Sequence, residues 1–136
     1  MDLRSLIAPR LVAHAHCDIP CGIYDPTAAK IAADTVAKMI EKITGSTGDD
    51  EASRNTFIRS VAVKEEHAQL CKKELLILWT DYFKPEHLEK YPKLHDTFWK
   101  AAKLCSKNKQ SVDAKAAADL QAAVKEIADI FWATKK

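Results

Sequence analysis

The stretch DPTAAKIAADTVAKMIEKITG, residues 25–45, decides how the chain folds. Asp25 supplies the side-chain acceptor of a helix N-cap, and Pro26 has no amide hydrogen to leave orphaned in a first turn. Ile31, Val36, Met39, Ile40 and Ile43 then recur at helical spacing until Gly45 and Gly48, so a first helix is expected here. Working outward, the same period returns three more times. A longer helix is expected from about Glu51 to Phe83, with Phe57, Ile58, Val61, Leu75, Leu78, Trp79 and Tyr82 as its apolar stripe, ended by Lys84-Pro85. Pro85 to Pro92 leaves room for a connection with one helical turn. A third helix should follow Pro92 and bury Leu94, Phe98, Trp99, Ala102 and Cys105. After a polar break at 107–111, a fourth carries Ala117, Leu120, Val124, Ile127 and Phe131 on one face. The expected fold is all-α: an antiparallel four-helix bundle over 25–136, preceded by a short non-helical segment.

Composition agrees. The 136 residues suit one domain with a real core. Gly is scarce and no long stretch alternates apolar with polar residues, so strands find little support. A net charge of +2, spread without a basic run, argues against nucleic acid as a partner. No apolar segment approaches the roughly 20 residues of a membrane span.

The opening MDLRSLIAPRLVAHA, residues 1–15, has the small-x-small ending of a secretory signal, but Pro9 and Arg10 split its apolar residues into short pieces. It reads as a short cytoplasmic pro-segment.

Residues 16–24, HCDIPCGIY, do not fit a plain bundle. They have no helical period and put His16, Cys17 and Cys21 within six residues. A disulfide, idle thiols and half of a zinc site are all compatible with the spacing. Zinc wants at least three and usually four side-chain ligands in tetrahedral array, whereas Cys71 and Cys105 fall on expected helices and read as core thiols. Close-set nitrogen and sulfur donors on one segment favour a planar arrangement that suits Ni(II) or Cu(II). Pro20 fixes a bend, and Gly22 lets the backbone curl past Cys21.

The run HCDIPCGIYDP, residues 16–26, resembles the nickel hook of nickel superoxide dismutases, and the similarity extends through LWTDYFKPEHLEKYPKLH at 78–95 and IFWATKK at 130–136. The resemblance implies a superoxide dismutase that turns superoxide into dioxygen and hydrogen peroxide through a Ni(III)/Ni(II) cycle, with one nickel per subunit. The α-amine of His16, the amide of Cys17 and the thiolates of Cys17 and Cys21 would hold the metal in a plane, with the His16 imidazole as axial ligand in the oxidised state. Tyr24 matches the family's gatekeeping tyrosine, and Asp18 a residue that shapes the hook and its proton supply. Tyr82 matches a supporting tyrosine and Lys84 a lysine near the active face.

One departure stands out. The family's better-known members pair a glutamate with an arginine behind the axial imidazole, and Ala32 and His67 stand at those positions here. Both partners are replaced together, so no buried charge is stranded. His67 either fills the arginine's space or, directly or through a water, orients the His16 ring.

The resemblance further implies that the chain as written is an inactive precursor, because the nitrogen of His16 is still an amide bonded to Ala15. A processing peptidase would cut between Ala15 and His16, separating a pro-segment (1–15) from the enzyme domain (16–136). Assembly into a homohexamer is implied as well; Trp79, Trp99 and Trp132 could serve either the core or subunit contacts. A nickel or copper carrier without catalysis would use the same ligands.

Overall fold

The computed structural model describes residues 22–136, and its elements are helical throughout. Helix α1 spans Thr27–Thr44. Asp25 Oδ1 accepts the Thr27 N–H at 2.7 Å, so this carboxylate does cap the first turn, and the Pro26 carbonyl accepts the Lys30 N–H at 3.1 Å. Ala29, Ala32, Ala33, Val36, Ile40 and Ile43 form its buried face, in the three- and four-residue steps of an amphipathic helix.

Helix α2 spans Glu51–Ile77 and starts at Asp50, whose Oδ1 accepts the Ser53 N–H at 2.8 Å. It passes into a π-helical turn, Leu78–Tyr82, closed by the Phe83 N–H on the Leu78 carbonyl at 3.1 Å. Short helix α3, Pro85–Lys90, fills the connection between the two prolines as anticipated. Helices α4, Leu94–Gln110, and α5, Ala114–Thr134, complete the chain. Asp113 caps α5 by accepting the N–H groups of Lys115 and Ala116 at 2.9 and 3.2 Å.

The four long helices form a ring in which α1 packs on α2 and α5, and α4 packs on the same two. Leu75, Leu94, Phe98, Leu120, Ile127 and Phe131 fill the centre, each essentially without exposure. Burying side chains of this size contributes about 1.5–3 kcal/mol apiece, which is what holds the ring closed. Cys71 and Cys105 lie in this core as free thiols, as the sequence led us to expect.

Three expectations need correction. Helix α2 is not α-helical as far as Phe83: its last turn is wound as a π turn. Its inner face in the first half is not Phe57 and Ile58, which are exposed, but Ser60, Lys64 and Ala68. The cause is Lys64, whose Nζ donates to the carbonyls of Asn108, Lys109 and Ser111 at 2.6, 2.9 and 3.1 Å and so turns a polar stripe inward. Finally, Ile31 and Trp99 point outward, at 59% and 55% exposure, because Ala32 and Phe98, the residues next to them, take the buried positions.

A tyrosine cluster beside the hook

Gly22, the first described residue, has φ +72°. A Cβ there would meet nothing within 4 Å, so glycine is required by the left-handed backbone and not by crowding. That is the conformational freedom expected of this glycine; the segment it would curl past lies outside the described residues. Two residues on, Tyr24 packs against the bundle core, its ring centroid 5.6 Å from that of Tyr82 and tilted by 55°.

Tyr82 belongs to the π turn. An α-helix would place it about 100° per residue from its neighbours on a fixed cylinder; the wider turn re-aims it toward the end of the bundle where the chain enters α1. There it meets α3 and the last turn of α5. Its ring stacks on His87 at 5.8 Å and 18°, and lies 4.4 Å from Phe131. His87 Nδ1 accepts the backbone N–H of Lys84 at 3.0 Å, which ties α3 to the end of the π turn.

The direction of the Tyr82 hydroxyl follows from counting protons. Tyr82 Oη lies 2.7 Å from Thr134 Oγ1, and Thr134 Oγ1 donates to the Phe131 carbonyl at 2.6 Å. A threonine hydroxyl has one proton. With that proton on Phe131, the bond to Tyr82 must be donated by the phenol. Lys135 closes the cluster, its Nζ 5.2 Å from the Tyr82 ring centroid and 5.4 Å from that of Phe131.

The residues singled out from sequence divide into three groups. Tyr24 and Tyr82 are brought together. Lys84 is exposed and joins the cluster through its backbone bond to His87. His67 is part-buried, 15 residues before Tyr82 and so roughly 22 Å along α2 at 1.5 Å per residue. Its Nδ1 lies 3.0 Å from the Val63 carbonyl one turn back. A carbonyl can only accept, so Nδ1 is the donor in this bond. Ala32 is fully buried, among the residues around Cys71 and Leu75. Ala15, His16, Cys17, Asp18 and Cys21 lie outside the described residues. His87, Thr134 and Lys135 carried no role in the sequence reading; the contacts of Thr134 and Lys135 with Tyr82 span more than 50 residues, and no local pattern marks them.

The donor chemistry fits nickel at the hook. Among the described residues no group of three or more His, Cys, Asp or Glu could hold a metal ion. Cys71 and Cys105 are sealed in the core, where burial and their mutual hydrogen bond push the Cys71 thiol far up. Neither thiol is placed to serve as a metal-binding thiolate.

A ring of four helices with a tyrosine pair where the chain enters the first of them defines a small all-α domain. Its sequence carries the match further: residues 11–135 fit the family described as nickel-containing superoxide dismutase. The nickel superoxide dismutases of Streptomyces seoulensis and Streptomyces coelicolor are 42% and 41% identical to it over 134 residues, spanning 98% of each chain. A native nickel superoxide dismutase structure superposes with a TM-score of 0.79 at 41% identity, covering 89% of this chain and all of that one. The chain belongs to the nickel-containing superoxide dismutase family.

Proposed function

We propose that this chain, once residues 1–15 are removed, disproportionates superoxide at a nickel ion held by His16, Cys17 and Cys21. Two superoxide anions and two protons give dioxygen and hydrogen peroxide. Nickel supplies a one-electron Ni(III)/Ni(II) couple, brought within reach of superoxide by anionic thiolate and amide donors. The observation that carries the reading is the paucity of other donors: among the described residues there is no alternative metal cluster, while the hook's last turn has its left-handed glycine and leads into the Tyr24–Tyr82 contact.

The chain's own residues then have distinct parts. The liberated amine of His16 binds where the precursor offers only an amide, so the uncut chain is inactive. Tyr24 stands at the entrance, backed by Tyr82. Asp18 shapes the hook and relays protons. Lys84 adds positive charge at the rim. His67 orients the His16 ring directly or through a water; the joint replacement at Ala32 and His67 supports this. His67→Ala would then alter activity and the spectrum of the oxidised nickel, and an unchanged spectrum would remove His67 from the mechanism.

Processing between Ala15 and His16 by a peptidase in the cytoplasm is supported by the broken apolar pattern of the pro-segment. Assembly into a homohexamer, one nickel per subunit, is supported by exposed Ile58, Trp99 and Trp132 on a chain this small. No described helix is long and apolar enough to cross a membrane.

The deciding experiment compares protein cut to begin at His16 with the uncut chain, each loaded with nickel, in a superoxide disproportionation assay. Activity confined to the cut form supports the proposal. Cut protein that takes up zinc instead, or nickel without activity, overturns it and leaves a metal carrier.

A further inference from the structure

We propose that Lys135, at the end of α5, is a steering residue that draws the superoxide anion to the Tyr24–Tyr82 mouth. The inference rests on the functional reading above, in which these tyrosines flank the route to the metal.

The ammonium of Lys135 lies against aromatic faces and, among the described residues, pairs with no carboxylate. Its neighbours are the faces of Tyr82 and Phe131, at 5.2 and 5.4 Å, a cation–π setting that fixes position and leaves the full charge. None of the ion pairs between described residues includes it. By contrast Lys100, Lys115 and Lys125 each sit against an aspartate. Tyr82 in turn is anchored by its bond to Thr134, the residue before Lys135, so the ring beneath the cation has a fixed position.

Distance makes the charge count. Lys135 Nζ lies within about 11 Å of the Tyr24 ring centroid, close to the roughly 8–10 Å over which a charge is felt at physiological ionic strength. A monovalent anion arriving at the tyrosines therefore enters its field, and a cleft with low-dielectric walls concentrates that field. Lys115, in the first turn of the same helix, is about 30 Å away by helical rise and is screened from the mouth.

The two lysines give a matched test, because Lys135→Glu and Lys115→Glu change net charge equally. In the nickel-loaded protein cut at His16, Lys135→Glu should lower kcat/KM about fourfold at low salt, by the Coulomb relation in water. The deficit should vanish in high salt, Lys135→Arg should restore the parent value, and Lys115→Glu should leave it unchanged. Equal losses for the two glutamate variants, or a loss from Lys135→Glu that salt does not relieve, would overturn the inference.

A second readout needs no catalysis. Azide, a monovalent anion, titrated into metal-free protein and followed by amide NMR, should shift Tyr82 and Thr134 in the parent and in Lys115→Glu but not in Lys135→Glu. Shifts that survive Lys135→Glu would refute the steering role even if the protein proved not to be a dismutase.

Discussion

Lys64 of α2 donates its buried ammonium to the main-chain carbonyl of Asn108 in the last turn of α4, at 2.6 Å. With Lys109 and Ser111 as further acceptors, all three of its protons face carbonyls that α4 leaves unpaired as it ends. The positive charge also sits at the negative end of the helix dipole. Lys64→Met, similar in size, would leave those carbonyls buried and unsatisfied; a loss of about 3 kcal/mol is expected in urea unfolding.

The same lysine predicts an alkaline signature. Burial holds its ammonium below the ordinary value of 10.5. The unfolded chain thus keeps the proton to higher pH than the fold does, so stability rises with pH through the window just under 10.5. Lys64→Met should lack that rise when the urea midpoint is followed against pH.

Acid should act on the helix caps. Asp25, bound by the hydroxyl and N–H of Thr27, Asp50, bound by Ser53, and Asp113, bound chiefly by the Ala116 N–H, are all held below 3.8. Their contribution is present above 3.8 and fades as pH falls through the lower folded values. Asp113→Asn keeps a capping oxygen but takes up no proton. Its thermal midpoint should lie below the parent's at neutral pH and fall less steeply below 3.8, so that the gap narrows in acid.

Gly22 offers a test of the hook that leaves the bundle alone. Ala at φ +72° costs about 1–2 kcal/mol, since its Cβ crowds the backbone in the left-handed region. Gly22→Ala should weaken nickel affinity at least about fivefold by that figure while the unfolding temperature of metal-free protein stays within about one degree.

The four cysteines should separate cleanly. Cys17→Ser and Cys21→Ser are each expected to abolish nickel uptake, measured by metal analysis of protein cut at His16. Cys71→Ala with Cys105→Ala should keep nickel and lose roughly 1–3 kcal/mol of stability from the small cavities left in the core.

How far the sequence could be read depended on whether a residue's role was local. The α5 face of Ala117, Leu120, Val124, Ile127 and Phe131 is buried as its spacing implied, because an apolar stripe with no competing duty has one place to go. In α2 the stripe misled: Lys64 answers to carbonyls 44 to 47 residues away, and nothing nearby in sequence reveals that obligation. The site divides in the same way. The density of donors in 16–21 is a local pattern that can be read directly, whereas the bond from Tyr82 to Thr134 spans 52 residues and becomes visible only once α5 folds back. Ile31 and Trp99 have outward positions that their hydrophobicity could not foretell.

The π turn at Leu78–Tyr82 makes the spacing of α2 a control on chemistry it never touches. Excising one residue there would let the coil tighten to an ordinary pitch, swinging Tyr82 by about 100° around the axis and drawing it back about 1.5 Å. The phenol would leave Thr134, the partner of Tyr24 would be gone, and the gap would open at a place no metal ligand occupies. Lineages that gain or lose a residue between Cys71 and Pro85 should therefore have rebuilt the wall behind the counterpart of Tyr24, however faithfully they copy residues 16–24.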